Sequence, residues 1–179
     1  WTIAYYIFLS YMPTFLQKHA GLDRAQALWS NTLALLVLVA AVPAAGALSD
    51  RIGRKPLLLA SCAAFLLLPY PLFAMLLSNP SLPTAISVQV LFALALALFS
   101  GPGPAAIAEI FPTRMRSTWM SIGYSVAAAL FGGFAPYVAT WLIARTGSPL
   151  APTWYVIGAA LVSAITIATQ RETAHEALR

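Results

Sequence analysis

Hydrophobic and polar positions alternate along this chain in long blocks, in which extended apolar runs are separated by short polar or turn-forming breaks. A helix needs about 20 apolar residues to cross the hydrocarbon core of a membrane. The breaks leave six runs near that length, and we predict spanning helices at about residues 1–16, 26–48, 56–78, 83–108, 117–144 and 152–170. The pattern therefore predicts an all-α membrane protein with six transmembrane helices.

Composition supports this interpretation and restricts the chemistry. Charged residues make up 8% of the 179 residues, whereas soluble domains carry about 25%. A single cysteine, Cys62, excludes an intrachain disulfide, and we expect neither a cofactor nor a metal site. The chain begins on Trp1 inside an apolar run, without Met or a signal-peptide pattern. We therefore expect a truncated first helix in a piece of a longer protein.

The basic residues fall mainly on one side of the predicted membrane. One side carries seven, Arg51, Arg54, Lys55, Arg114, Arg116, Arg171 and Arg179, and the other side carries three, Lys18, Arg24 and Arg145. Cytoplasmic loops are enriched in Lys and Arg. The loops at 49–55 and 112–116 and the carboxyl terminus are therefore predicted to be cytoplasmic, with a bacterial inner membrane as the location. The net charge of +5 does not indicate nucleic acid, because the cations form no common face.

Several predicted spans contain residues that bend helices. Proline removes a backbone hydrogen bond and clashes with the preceding turn. The residues concerned are Gly101, Pro102 and Pro104 in the fourth span and Gly132 and Gly133 in the fifth. Bent helices that line a cavity are typical of transporters.

Two spans carry a polar face. In the first span, Tyr6 and Ser10 are four residues apart and share a face, and Tyr5 and Tyr11 flank it. In the fifth span, Ser121 and Tyr124 share a face. We predict that these six residues line a substrate cavity: Tyr5, Tyr6, Ser10, Tyr11, Ser121 and Tyr124. The alternative for the serines is a hydrogen bond to their own helix backbone.

The charged residues of the second loop suggest an ion-pair network. Asp50, Arg51, Gly53 and Arg54 are predicted to form a tight loop in which Gly53 adopts a positive φ. Glu109 ends the fourth span and can meet a guanidinium of this loop if the second and fourth spans converge there. The alternative for the cations is that they only orient the helices. The residues after Gln170 are expected to be a solvated tail.

These residues resemble a known family. Gly46 to Lys55 is similar to the cytoplasmic-loop signature Gly-x-x-x-Asp-Arg-x-Gly-Arg-Lys of the major facilitator superfamily. The segment from Glu109 to Arg116 resembles the Glu-x-x-Pro-Thr-x-x-Arg signature of its sugar porters and metabolite:proton symporters. Residues 11–16, 121–124 and 131–136 favour the metabolite:proton symporters. The resemblance implies helices seven to twelve of a twelve-helix transporter, with a bundle at 1–170 and a cytoplasmic tail at 171–179.

The resemblance also implies a mechanism. A transporter of this type exposes a central site to one side at a time. The residues that match the signatures would form a cytoplasmic gate, namely Asp50, Arg51, Gly53, Arg54, Glu109 and Arg116. No predicted span core contains Asp, Glu, His, Lys or Arg. The acid that binds the coupled proton is therefore expected in the amino-terminal half.

The expected function is transport of a small polar metabolite, an organic acid or a zwitterion such as a betaine, by proton symport. The expected partners are the small-molecule substrate, protons and the lipid bilayer, and no nucleic acid. A sugar porter and a drug efflux carrier of the same superfamily are alternatives. A membrane-embedded enzyme would need convergent catalytic groups, and the spans supply only isolated hydroxyls. A non-transporting receptor or scaffold is the alternative from a different class.

Overall fold

A computed structural model describes residues 1–110, 115–170 and 172. The regular secondary structure of these residues is helical throughout. We number the helical stretches in chain order. α1 joins Thr2–Tyr5, a π-helical segment at Tyr6–Tyr11, and Met12–His19; α2 is Arg24–Ile52; and α3 joins Arg54–Leu67 to Pro69–Ser78. α4 joins Leu82–Ser100 to Gly103–Ile110; α5 joins Arg116–Ala127, a π-helical segment at Ala128–Gly133, and Ala135–Thr146; and α6 is Ala151–Thr169.

The structure contains helices that can span a membrane, but it does not confirm all six of the predicted spans. Within the described ranges, four stretches are long and apolar enough to cross a membrane, namely α2, α4, α5 and α6. The two halves of α3 qualify together as a fifth, and they meet at an angle of 42°. Pro69 begins the second half, and a proline at this point bends the helix. α1 is divided by its π-helical segment into three short pieces.

Aromatic rings form the centre of the core. Phe8 of α1 stacks on Phe92 of α4, with 3.7 Å between the ring centroids. The same ring contacts Phe65 and Phe73 from the two halves of α3, at 5.6 and 6.0 Å. Phe8, Phe73 and Phe92 are at most 1% exposed. These large apolar contacts join α1, α3 and α4.

Buried polar side chains add specific links between helices. Gln89 of α4 donates from Nε2 to Ser30 Oγ of α2 over 2.7 Å. Ser61 of α3 donates to the carbonyl oxygen of Ala95 of α4 over 2.7 Å. Small and hydroxyl-bearing residues allow membrane helices to approach and to hydrogen-bond across their interface. α4 is thereby joined to both α2 and α3.

The backbones of α4 and α2 also approach closely at Gly101, between the two halves of α4. A Cβ atom at Gly101 would lie 2.6 Å from the backbone nitrogen of Gly46 and 2.9 Å from the carbonyl carbon of Ala45, both in α2. The backbone of Gly101 is right-handed helical, with φ of −66°. Glycine is required here because of space and not because of its conformational freedom.

We predict that Gly101→Ala destabilises the fold, because the added methyl group meets backbone atoms of α2 that cannot rotate away. Overpacking of this kind costs about 1–3 kcal/mol. The measurement is the thermal unfolding midpoint of the purified protein in detergent. Gly123→Ala is the matched control, because a Cβ atom there has nothing within 4 Å and alanine favours a helix interior. Equal unfolding midpoints for the two variants would contradict the prediction.

Candidate functional site

The charged end of the bundle contains two helix ends separated by one residue. α2 continues through Asp50 and Arg51 to Ile52, and α3 begins at Arg54. The predicted loop over 49–55 is therefore too long, because charged residues can continue a helix once it has left the hydrocarbon. Gly53 alone lies between the helices. Its φ of +103° confirms the positive value that was predicted.

Arg54 is the centre of the charge cluster. Its Nη1 atom contacts Asp50 Oδ1 and donates to Ser49 Oγ over 2.7 Å, and its Nε atom lies 3.4 Å from Glu109 Oε1. The predicted meeting of Glu109 with a guanidinium of the loop at 49–55 is thus present. The side chains of Arg54 and Glu109 are 15% and 13% exposed, whereas Asp50 is 65% exposed. Removing one member of the shielded pair therefore leaves a charge with little access to water.

A third segment joins this cluster. Glu172 accepts hydrogen bonds from the backbone N–H groups of Arg54 and Lys55, over 3.0 and 2.9 Å. A carboxylate is favourable at a helix N-terminus because the first N–H groups have no partner in the helix. A Cβ atom at Gly53 would lie 2.6 Å from Glu172 Oε2, so glycine also provides space for this carboxylate. Glu172 is exposed, as expected of a solvated tail, and in addition it caps the start of α3.

Lys55 has a structural role that the charge pattern did not reveal. Its ammonium group donates to the carbonyl oxygens of Ala168 and Gln170, over 2.7 Å each. These carbonyls belong to the end of α6, where the last C=O groups lack helical donors and a cation is favourable. Lys55 and Glu172 therefore connect the start of α3 to the end of α6.

The two other predicted gate residues have different surroundings, and part of the second signature lies outside the described residues. Arg51 is exposed and forms no ion pair with a described residue. Arg116 begins α5 and is half-buried. Residues 111–114, which include Pro112, Thr113 and Arg114 of the second signature and loop, lie outside the described residues. The tail at 171–179 does so as well, apart from Glu172.

Three of the predicted cavity tyrosines form one aromatic cluster. The ring of Trp1 lies 5.3 Å from that of Tyr5 and 6.2 Å from that of Tyr124, and Tyr5 lies 5.9 Å from Tyr6. Phe99 of α4 completes the cluster, 6.5 Å from Trp1. Sequence reasoning missed Trp1 and Phe99, because neither belongs to a polar face. Their contacts depend on three helices that are distant in the chain.

The remaining cavity candidates have different surroundings. Tyr11 is buried and contacts the ring of Phe15 in the core. Ser10 and Ser121 are exposed. The π-helical segment of α1 changes the spacing of side chains around the helix, so regular four-residue spacing did not describe Tyr6, Ser10 and Tyr11 well.

The predicted bending residues lie at irregular points of the helices. Gly101 and Pro102 separate the two halves of α4, which we call the upper half (Leu82–Ser100) and the lower half (Gly103–Ile110). Pro104 is the second residue of the lower half. Gly132 and Gly133 end the π-helical segment of α5. A Cβ atom at Gly132 would lie 2.7 Å from Cε2 of Tyr6, so this glycine allows α5 to approach the tyrosine face of α1.

Comparisons with known proteins identify transporters. A citrate-proton symporter from Klebsiella pneumoniae is 34% identical over 160 residues, which are 89% of this chain and 36% of that protein. An ectoine/proline transporter from Corynebacterium glutamicum is 29% identical over 97% of this chain and 34% of its own length. A proline/betaine transporter from Escherichia coli K12 is 27% identical over 99% of this chain and 35% of its own length. No solved structure matches the chain.

The chain spans about a third of the length of these curated relatives. The relatives are transporters and not enzymes, which confirms the resemblance to metabolite:proton symporters drawn from the two signatures. The family model for the Major Facilitator Superfamily matches residues 2–178, which is nearly the whole chain. The chain therefore belongs to the major facilitator superfamily of integral membrane transporters.

Proposed function

We propose that this chain is the carboxyl-terminal six-helix half of a proton-coupled carrier that transports a small polar metabolite by alternating access. Residues 1–170 would form the bundle, and residues 171–179 would form a tail. The observation that carries the proposal is the shielded Arg54–Glu109 ion pair, which joins the start of α3 to the end of α4. An ion pair at one end of the bundle, separate from the aromatic cluster, suits a gate that opens when the pair breaks.

The gate hypothesis has a simple geometric basis. Glu109 lies in the lower half of α4, beyond the break at Gly101 and Pro102. A tilt of this half about the break would move Glu109 away from Arg54 while the upper half stays packed on α2. A change of only about 1.4 kcal/mol alters the ratio of two states tenfold. Asp50 and the signature residues Arg51, Gly53 and Arg116 would adjust this equilibrium.

The gate is placed in the cytoplasm, and the carrier in the bacterial inner membrane. The support is the excess of basic residues at this end of the bundle. Arg54, Glu109 and Glu172 lie together, so the α2–α3 junction, the end of α4 and the start of the tail share one side. With six spans, both chain ends would lie on that side.

Proton coupling is assigned to the part of the carrier outside this chain. A coupled carrier needs a titratable group inside the membrane, and the predicted span cores of this chain contain no Asp, Glu, His, Lys or Arg. The substrate is an organic acid or a zwitterion, because the relatives are named as transporters of citrate, ectoine, proline or betaine. This half would contribute aromatic and hydrogen-bonding surface.

We predict that the complete carrier, reconstituted in liposomes, takes up radiolabelled citrate, proline or glycine betaine when the outside is made more acidic than the lumen. The imposed proton gradient drives a symporter, so a protonophore is expected to abolish accumulation. Liposomes without protein are the control. Uptake that is indifferent to the proton gradient would exclude symport, and lack of uptake of all three compounds would exclude the proposed substrate range.

A second prediction concerns the gate. Arg54→Gln and Glu109→Gln should each shift the carrier towards its inward-facing state by about tenfold, because each breaks the same shielded pair. The measurement is the labelling rate of a cysteine placed at Tyr6, with a membrane-impermeant reagent on the cytoplasmic side. The double variant should label at about the rate of the single variants, because coupled sites are not additive.

The matched control for the gate is Arg145→Gln, which removes an exposed cation near the end of α5. This variant should label at the original rate. Unchanged labelling in both Arg54→Gln and Glu109→Gln would refute the gate.

A further inference from the structure

The aromatic cluster of Trp1, Tyr5, Phe99 and Tyr124 forms one continuous surface where α1, α4 and α5 meet. The Trp1 ring contacts the other three, at centroid distances from 5.3 to 6.5 Å. Trp1, Tyr5 and Phe99 are half-buried, and Tyr124 is 55% exposed. Three of the rings are thus partly packed against the bundle, and the surface is accessible at Tyr124.

The depth of this surface separates it from the aromatic residues that line membrane interfaces. Trp1 donates from Nε1 to Ser100 Oγ over 2.8 Å. Ser100 precedes Glu109 by nine residues, or about 14 Å along a helix with a rise of about 1.5 Å per residue. Tryptophan and tyrosine at the headgroup level anchor helices to the interface. That role does not account for a cluster this far from the charged end.

The electrostatic character of the surface favours a cation. The faces of aromatic rings carry partial negative charge, and they attract ammonium groups within about 6 Å of the ring centroid. The predicted span cores contain no Lys or Arg that would pair with a substrate carboxylate, and no Asp or Glu that would bind the ammonium instead. A polycarboxylate therefore finds no counter-charge in these spans, whereas an ammonium group finds several ring faces.

The break in α4 supplies a hydrogen-bond acceptor beside the rings. Proline has no N–H group, so Pro104 cannot donate to the carbonyl oxygen four residues earlier, that of Ser100. Ser100 is also the residue whose hydroxyl accepts the Trp1 hydrogen bond. An acceptor at membrane depth without its helical donor attracts positive charge, as the unwound carbonyls that coordinate cations in other carriers do. A quaternary ammonium has no N–H group, so this attraction would be electrostatic and not a hydrogen bond.

We propose that this aromatic surface binds the ammonium group of a zwitterionic substrate, so that the carrier prefers an N-alkylated amino acid of the betaine type to a polycarboxylate. The proposal rests on the proposed transport function and narrows its substrate class. The substrate carboxylate is left for the part of the carrier outside this chain.

The test uses the complete carrier in proteoliposomes and two unlabelled competitors of glycine betaine uptake. One is glycine betaine itself, and the other is 3,3-dimethylbutyrate, in which a carbon atom replaces the quaternary nitrogen. The two have the same shape and differ in the positive charge. Glycine betaine should compete at a concentration about tenfold lower, the size of effect expected for a desolvated cation over aromatic rings.

The variants locate this preference. Tyr5→Leu and Tyr124→Leu remove a ring and should each raise the KM for glycine betaine about fivefold to tenfold. Tyr5→Phe and Tyr124→Phe keep the ring face and should keep most of the preference for glycine betaine over 3,3-dimethylbutyrate. Tyr137→Leu is the control, because Tyr137 is exposed and lies outside the cluster. In the leucine variants the advantage of glycine betaine over 3,3-dimethylbutyrate, which lacks the positive charge, should shrink. The comparison of the two competitors on the unaltered carrier needs no variant, so a folding defect cannot obscure the result.

Several results would overturn the proposal. Equal competition by glycine betaine and 3,3-dimethylbutyrate would show that the rings recognise shape and not charge. Proton-driven uptake of citrate without uptake of glycine betaine would exclude the ammonium class while leaving the transport function intact. Lack of proton-driven uptake for every compound would instead reject the proposed function itself, so the two failures are distinguishable.

Discussion

The low polarity of the bilayer is the constraint on which this structure depends. Hydrocarbon offers no hydrogen bonds, so the backbone of each span must satisfy its own polar groups as a helix. It also makes isolated charge expensive, and the predicted span cores accordingly contain none of the residues Asp, Glu, His, Lys or Arg. Charge is therefore concentrated at helix ends, where Arg54, Glu109 and Glu172 meet. What remains within the spans is packing, hydroxyl groups and aromatic rings.

α4 connects the two regions of functional interest. Its upper half packs on α2 and α3 through Gln89 and Ala95, the break approaches α2 at Gly101, and its lower half carries Glu109. The break between the halves lies beside Ser100, which accepts the Trp1 hydrogen bond. A substrate on the aromatic surface would therefore contact the point about which the lower half can tilt. This geometry offers a direct mechanical route from substrate binding to the gate.

Much of this arrangement was predictable, because it follows from local chemistry. The positive φ of Gly53 was expected from a turn between charged residues, and the pairing of Glu109 with a guanidinium of the loop at 49–55 was expected if the second and fourth spans converge. The extent of the loop was not, since the helix continues through Asp50 and Arg51. The contact of Glu172 with α3 was not predicted either, because nothing in its neighbours reveals two N–H groups at the start of a helix more than a hundred residues earlier.

The sequence by itself determined that the chain is helical and membrane-embedded, that its charges lie at helix ends, and that two signatures relate it to metabolite:proton symporters. These properties depend on composition, on spacing and on the cost of placing charge in hydrocarbon. Only the tertiary structure decided that Trp1 and Phe99 join Tyr5 and Tyr124, that Tyr11 belongs to the core, and that Lys55 and Glu172 tie α3 to α6. The reason is physical: each of these contacts depends on how helices cross and rotate, and the π-helical segment of α1 and the break of α4 alter both in a way that a regular helical period cannot describe.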